Sequence, residues 1–213
     1  MIKTKRDIIL ISGKQGSGKT TTSERLEESI KNKGYYVKVF KFADPIYNIH
    51  NYALNYLRDC GVDHETTKDG KLLQFLGTEW GRSIKESIWV DILKYRIDSW
   101  FHWGEGVATR SIAIIDDCRF ENEFLAFDSA LRVRLVADEE TRKKRCDSWR
   151  ENTNHPSEIG LDAFAANNQF DLYVDSVGDN VWHITTLILA QLQKDVWMEK
   201  RKLRFENGVE RNI

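Results

Sequence analysis

Gly13-Lys14-Gln15-Gly16-Ser17-Gly18-Lys19-Thr20 has the spacing G-x-x-x-x-G-K-[ST], and its chemistry is the binding of a polyphosphate. Glycines at these positions let the backbone turn its N–H groups inward, and a helix that begins directly afterwards aims its positive end at the same point. Lys19 brings an ammonium to the β- and γ-phosphates, and the Thr20 hydroxyl is a hard ligand for a bridging Mg²⁺. The ligand expected here is ATP, touched by Gly13, Lys14, Gln15, Gly16, Ser17, Gly18, Lys19, Thr20 and the adjoining Thr21.

A second group follows the apolar run Ser111 to Asp116, which ends in Asp116-Asp117-Cys118-Arg119. Open α/β sheets bind ligands at the carboxyl ends of their strands, so carboxylates and a guanidinium emerge there in a useful place. One of the two aspartates, Asp116 or Asp117, is expected to hold magnesium through water, and Asp116 is the candidate for it. Asp117 and Arg119, two apart, suit gripping an acceptor and its phosphate; a surface ion pair or a helix cap is the lesser alternative. Asp44, ahead of Pro45, fits a helix start, and the end of its strand opens on the same crevice.

Gln74, Thr78 and Arg82 fall at i, i+4 and i+8 and would share one helical face, with Gly77 and Gly81 as points where a helix would break. Trp89 is a candidate base-stacking residue. Arg142, Lys143, Lys144, Arg145 and Arg150 form a cationic run; a charged helix face is often only solvated, but phosphoryl transfer needs cations that follow migrating charge, and Arg142 and Arg145 are the candidates. His155-Pro156-Ser157-Glu158 reads as a turn and a helix start, with His155 or Glu158 a candidate nucleotide contact and too few ligands for zinc.

These residues need a scaffold. Buried-strand patterns at Asp7 to Ser12, Tyr36 to Phe42, Ser111 to Asp116, Leu131 to Val136 and Phe170 to Val174 alternate with helical patterns at Lys19 to Lys31, Pro45 to Arg58, Ile88 to Trp103, Glu121 to Ala130, Glu139 to Trp149 and Val181 to Met198. Such alternation predicts an α/β fold, a five-stranded parallel sheet with helices on both faces. In the second helix Ile46, Ile49, Ala53, Tyr56 and Leu57 predict one buried stripe. The chain reads as a single domain with a core of 1–44, 107–149 and 169–198, a helical acceptor-binding insertion over about 45–106, and a lid over about 150–168. The tail beyond Trp197 is expected to fray.

With 213 residues, a net charge of -1 and 31% charged residues, the composition is that of a globular domain without the basic footprint that stable nucleic-acid binding requires. No apolar run approaches membrane-spanning length and no secretory leader is read, so neither a membrane nor export is expected. Cys60, Cys118 and Cys146 are odd in number and widely spaced, which predicts neither disulfides nor a zinc ribbon and fits a cytoplasmic setting. A homodimer is compatible with the sequence.

Taken together, Gly13 to Thr20, Phe42-Ala43-Asp44-Pro45, Leu73-Gln74-Phe75-Leu76-Gly77-Thr78 with Arg82 and Trp89, Asp117-Cys118-Arg119-Phe120-Glu121-Asn122-Glu123 and His155-Pro156-Ser157-Glu158 resemble the bacteriophage deoxynucleoside monophosphate kinases, over roughly residues 8 to 175. The resemblance implies a P-loop NTPase three-layer sandwich with a nucleoside-monophosphate-binding cap and a lid. It also implies ATP- and Mg²⁺-dependent synthesis of deoxynucleoside diphosphates for DNA precursor supply, with Lys19 stabilising the transferred phosphoryl and Arg82, Asp117 and Arg119 holding the dNMP. The chain departs from cellular nucleoside monophosphate kinases, whose segment after the third strand is of the Asp-Gly-x-x-Arg type. Other phosphorylated acceptors, a ribonucleoside monophosphate or dephospho-coenzyme A, fit the same machinery. So does a dimerising switch ATPase of DNA partitioning or division-site placement, whose loop carries a lysine where Lys14 stands.

Overall fold

The computed structural model describes residues 4–62, 68–146, 149, 156–178 and 180–206, with the backbone alone for 157 and 195–206. The strands are β1 (Lys5–Ser12), β2 (Tyr36–Phe40), β3 (Arg110–Cys118), β4 (Leu131–Val136) and β5 (Leu172–Asp175). The helices are α1 (Lys19–Lys31), α2 (Asp44–Asp59), α3 (Gly70–Gln74), α4 (Gly81–Ile84), α5 (Ile88–Trp103), α6 (Glu121–Phe124), α7 (Glu139–Lys144), α8 (Pro156–Ile159), α9 (Asp162–Ala166) and α10 (Val181–Glu206), and a π-helical turn (Phe75–Trp80) joins α3 to α4.

The strands form one sheet in the order β2-β3-β1-β4-β5, and every pairing is parallel. Parallel strands need covering on both faces, and the sequence supplies alternating apolar side chains for each. Leu10, Ala113 and Ile115 point into a core closed by α5 through Val90, Leu93, Ile97 and Phe101. Ile9, Ile11, Ile112 and Ile114 point into the opposite core, closed by Leu26 and Ile30 of α1 and Ile184, Ile188 and Leu192 of α10. Helix, sheet and helix therefore make the three-layer sandwich of a P-loop NTPase.

Several boundaries differ from the sequence expectation. The helix expected over Glu121 to Ala130 stops after one turn at Phe124, because the Arg132 side chain reaches back to the carbonyls of Phe124 and Phe127 (3.3 and 2.9 Å) and replaces the helical partners there. The helix expected to reach Trp149 ends at Lys144, and the C-terminal helix continues to Glu206 rather than fraying after Trp197. The stripe predicted to bury α2 is largely exposed: Ile49, Tyr56 and Leu57 remain 36%, 61% and 42% accessible. Helix α2 is held instead at a few points, Ile46 against Gly77 and buried His50, whose Nε2 accepts the Asp69 N–H at 2.9 Å. Among the described residues no helix is long and apolar enough to cross a membrane.

Candidate active site

The glycine-rich loop joins β1 to α1, and β1 lies at the centre of the sheet between β3 and β4. Gly18 takes a left-handed conformation (φ +86°) and starts α1 without a side-chain cap, so the first amides of the helix are left to a ligand. Gly16 is also left-handed (φ +76°), and a side chain there would strike the carbonyl of Arg142. The loop thus rests on the backbone of α7.

A cavity of about 560 Å³ opens beside the loop, lined by residues Gln15 to Thr22 and by Arg119, Arg145, Cys146, Ser176, Val181 and Ile184. One side is therefore a cradle of amides, hydroxyls and cations. The other, with Val181 and Ile184 at the start of α10, is apolar, as a phosphate chain followed by a flat ring system would require. Lys19 is half-buried and donates to the carbonyls of Gly13 and Lys14 (2.6 and 3.0 Å). Burial first, and then the nearby Arg119 guanidinium, lower its pKa from 10.5 to about 8. Thr20 and Thr21 are exposed to the cavity mouth.

Asp116, 2% exposed, ends the apolar part of β3. Its oxygens take the Lys41 ammonium at 2.6 and 2.7 Å and the Ser23 hydroxyl at 2.8 Å, and the same hydroxyl lies 2.9 Å from the Thr20 carbonyl. Ser23 thereby ties the candidate magnesium carboxylate to the start of α1. Both oxygens of Asp117 are engaged by the backbone after β2, accepting from the Phe42 and Ala43 amides (2.8 and 3.0 Å). Burial outweighs those hydrogen bonds and raises its pKa to about 6. Arg119 pairs with Glu158 at 3.2 Å and lines the cavity. The two residues expected to grip one acceptor thus have different partners: Asp117 the backbone after β2, and Arg119 the Glu158 carboxylate.

The cap presents a mixed picture. Gln74 and Thr78 are exposed, and the Thr78 hydroxyl donates to the Gln74 carbonyl at 2.6 Å. The π turn Phe75–Trp80 falls between Gln74 and Arg82, so i, i+4 and i+8 are not the single face that a regular α-helix would give. Arg82 lies over the Phe120 ring at 4.6 Å and 3.8 Å from the Glu123 carboxylate. Trp89 is 4% exposed; its indole donates to the Gly77 carbonyl at 2.8 Å and fills the space under Gly81. It is a strut beneath the cap, and the expectation of a base-stacking tryptophan is corrected by that burial. Asp44 begins α2 and pairs with Arg96 of α5 at 3.3 Å.

The cationic run also divides. Arg142 is 7% exposed, with Nη1 3.2 Å from the Gln15 carbonyl and its guanidinium over the Trp149 ring, so it grips the loop from behind. Only Arg145 of the expected pair lines the cavity, fixed by the Ser176 carbonyl at 2.7 Å. Glu158 accepts the Gln15 amide at 2.8 Å, and Lys14 is paired with Asp162 at 2.9 Å. Arg150 and His155 lie outside the described residues.

Four contributors escape a reading of the sequence. Lys41 stands just before Phe42-Ala43-Asp44-Pro45 and looks like one more strand lysine. Glu123 belongs to the Asp-x-Arg-Phe-x-Asn-Glu segment, but its task is visible only in three dimensions: it accepts the Arg119 and Phe120 amides at 2.8 and 3.1 Å. It is 5% exposed, and burial followed by repulsion from Asp117 raises its pKa to about 7. Arg134 joins Ser12 to Asp162 (2.9 Å each), and Ser176 donates to the Ser17 carbonyl at 3.0 Å; neither carries a sequence signal.

No family model and no curated protein matches the chain. Among solved structures it is similar to a shikimate kinase from Aquifex aeolicus, with 15% identity and a TM-score of 0.46 over 89% of this chain and 98% of that one. It is also similar to a shikimate kinase from Acinetobacter baumannii in complex with shikimate, with 15% identity and a TM-score of 0.48 over 91% of this chain and 96% of that one. Both TM-scores are below 0.5.

Proposed function

We propose that the chain is an ATP-dependent kinase acting on deoxynucleoside 5'-monophosphates. The observation that carries this reading is the cavity in which the Gly13–Thr20 loop, Lys19, Arg119 and Arg145 converge, beside a sheet edge that also bears Asp116, Lys41 and Asp44. Cations surround the place where the phosphate chain would lie. Transfer between two bound phosphates needs positioning and charge stabilisation more than a protein nucleophile.

In this reading Lys19 holds the migrating phosphoryl, while Arg119 and Arg145 neutralise charge from the side. Arg82, anchored by Glu123, offers its guanidinium to the acceptor phosphate, and Asp44 and Gln74 border the acceptor. Among the described residues no cluster of side chains would hold a metal unaided. The Thr20 hydroxyl, with Asp116 acting through a water, would offer hard oxygen donors to Mg²⁺ carried in by the nucleotide. When bound, that ion would draw charge from the phosphate oxygens.

The test is direct. The protein is incubated with ATP, Mg²⁺ and each common dNMP, the corresponding NMPs and dephospho-coenzyme A, and the products are resolved. Formation of deoxynucleoside diphosphates with poor use of ribose forms is expected. Phosphorylation of dephospho-coenzyme A alone would move the assignment to that acceptor. ATP hydrolysis that no acceptor accelerates would favour a switch ATPase, although Lys14 is bound here by Asp162 of its own chain.

A further inference from the structure

One amide of the phosphate loop already has an anion on it. Glu158 Oε2 accepts the Gln15 N–H at 2.8 Å, and Oε1 accepts from Arg119 Nη1 at 3.2 Å. The carboxylate also lies close enough to Lys19 to favour its charged form. A loop amide, a guanidinium and the field of an ammonium are the partners that a phosphate oxygen would seek in the same place. With its side chain 14% exposed, Glu158 is enclosed in the site and does not sit on a solvated rim.

The backbone around it is fitted to hold this position. Gly160 packs so tightly on the Arg119 carbonyl that an added Cβ would lie 2.7 Å away. Two residues further on, Asp162 bridges Lys14 and Arg134 at 2.9 Å each. The segment from α8 to α9 therefore brings two carboxylates to the loop: one on a lysine side chain, the other on a backbone donor. A carboxylate and a phosphate oxygen cannot share that donor, because like charges at such separation repel strongly where water is scarce.

We infer that the Gln15 amide and Arg119 form an anion subsite for one oxygen of the nucleotide's phosphate chain, and that Glu158 competes for it from within the protein. The inference rests on the reading that this loop binds ATP. Nucleotide entry then displaces the carboxylate, and the measured affinity is the intrinsic one reduced by the strength of the internal contact.

Binding of ATP and of inorganic tripolyphosphate, without acceptor, to the full chain and to Glu158→Gln and Glu158→Ala tests this by calorimetry. Both variants are expected to bind both ligands about tenfold more tightly, the scale of one charge-assisted hydrogen bond. In Glu158→Ala, acetate is expected to restore competition and weaken tripolyphosphate binding more than chloride at equal ionic strength. Unchanged or weaker binding in the variants, or acetate acting no differently from chloride, overturns the inference. A failure of the kinase reading shows separately, as absence of any acceptor-dependent product.

Discussion

Gly16 and Arg142 are in backbone contact: the glycine lies against the arginine carbonyl so closely that a methyl group would overlap it. The phosphate loop is thus shaped from behind by α7 as well as by its own glycines. Gly16→Ala meets both a left-handed conformation (φ +76°) and that carbonyl. The expected cost is about 1–3 kcal/mol of stability, together with loss of most ATP affinity. Urea unfolding and ATP titration would show it, and a variant indistinguishable from the parent in both would mean that the loop is not braced by α7.

Lys19 has its pKa lowered to about 8 by burial and by Arg119. Its ammonium is present below that value and is lost as pH rises through it, so ATP binding should weaken above about pH 8, approaching tenfold per pH unit. Lys19→Arg keeps the charge and should give a flat profile, though with slower transfer. A flat profile in the parent protein would show that Lys19 remains charged throughout or is not a phosphate ligand.

Glu123 and Asp117 titrate at about 7 and about 6, above their ordinary values of 4.5 and 3.8, chiefly because both are buried. For Glu123 the folded chain keeps a proton that the unfolded chain releases between those limits. Its contribution to stability is complete below about 4.5, falls as pH rises, and is gone once pH has passed about 7. Glu123→Gln should therefore lose less Tm than the parent between about pH 5 and pH 7.5, by a few degrees. Parallel Tm curves for the two proteins would contradict this.

Trp89→Phe keeps an aromatic ring under Gly81 but removes the donor to the Gly77 carbonyl. Loss of that hydrogen bond should cost about 0.5–1.5 kcal/mol. The loss should appear in the cap, raising KM for the acceptor while KM for ATP stays near the parent value. An equal rise in both constants would place the effect in the core instead.

Much of this architecture was legible from the residues. The Ile8 to Ile11 run, the glycine spacing and Lys19 at the head of an amphipathic helix specify a strand, a turn and a helix whose local preferences agree. The alternation that buries Leu10 on one face and Ile9 and Ile11 on the other follows from strand period alone. The site was less legible where one residue type serves opposite ends. Arg142 and Arg145 look alike in sequence, yet the first is wedged against the Gln15 carbonyl and the second lines the cavity. Trp89 could stack on a base or support a cap, and only its 4% exposure separates the two. Asp117 reads in sequence as a candidate acceptor contact, but in space its oxygens meet two backbone amides of the turn after β2, some seventy positions earlier.

The adjacency of β2 and β3 has a consequence for engineering. Parallel neighbours need one crossover helix to return the chain from the end of β2 to the start of β3, and α5 (Ile88–Trp103) is that helix. Everything from α2 through α4 is then an excursion inserted ahead of a sufficient link, attached at the Asp44–Arg96 pair and at the Trp89 strut. On the proposed kinase reading, a graft of this module into a chain that shares the sheet is expected to carry the choice of acceptor, and an acceptor panel run on the graft and its host would check it.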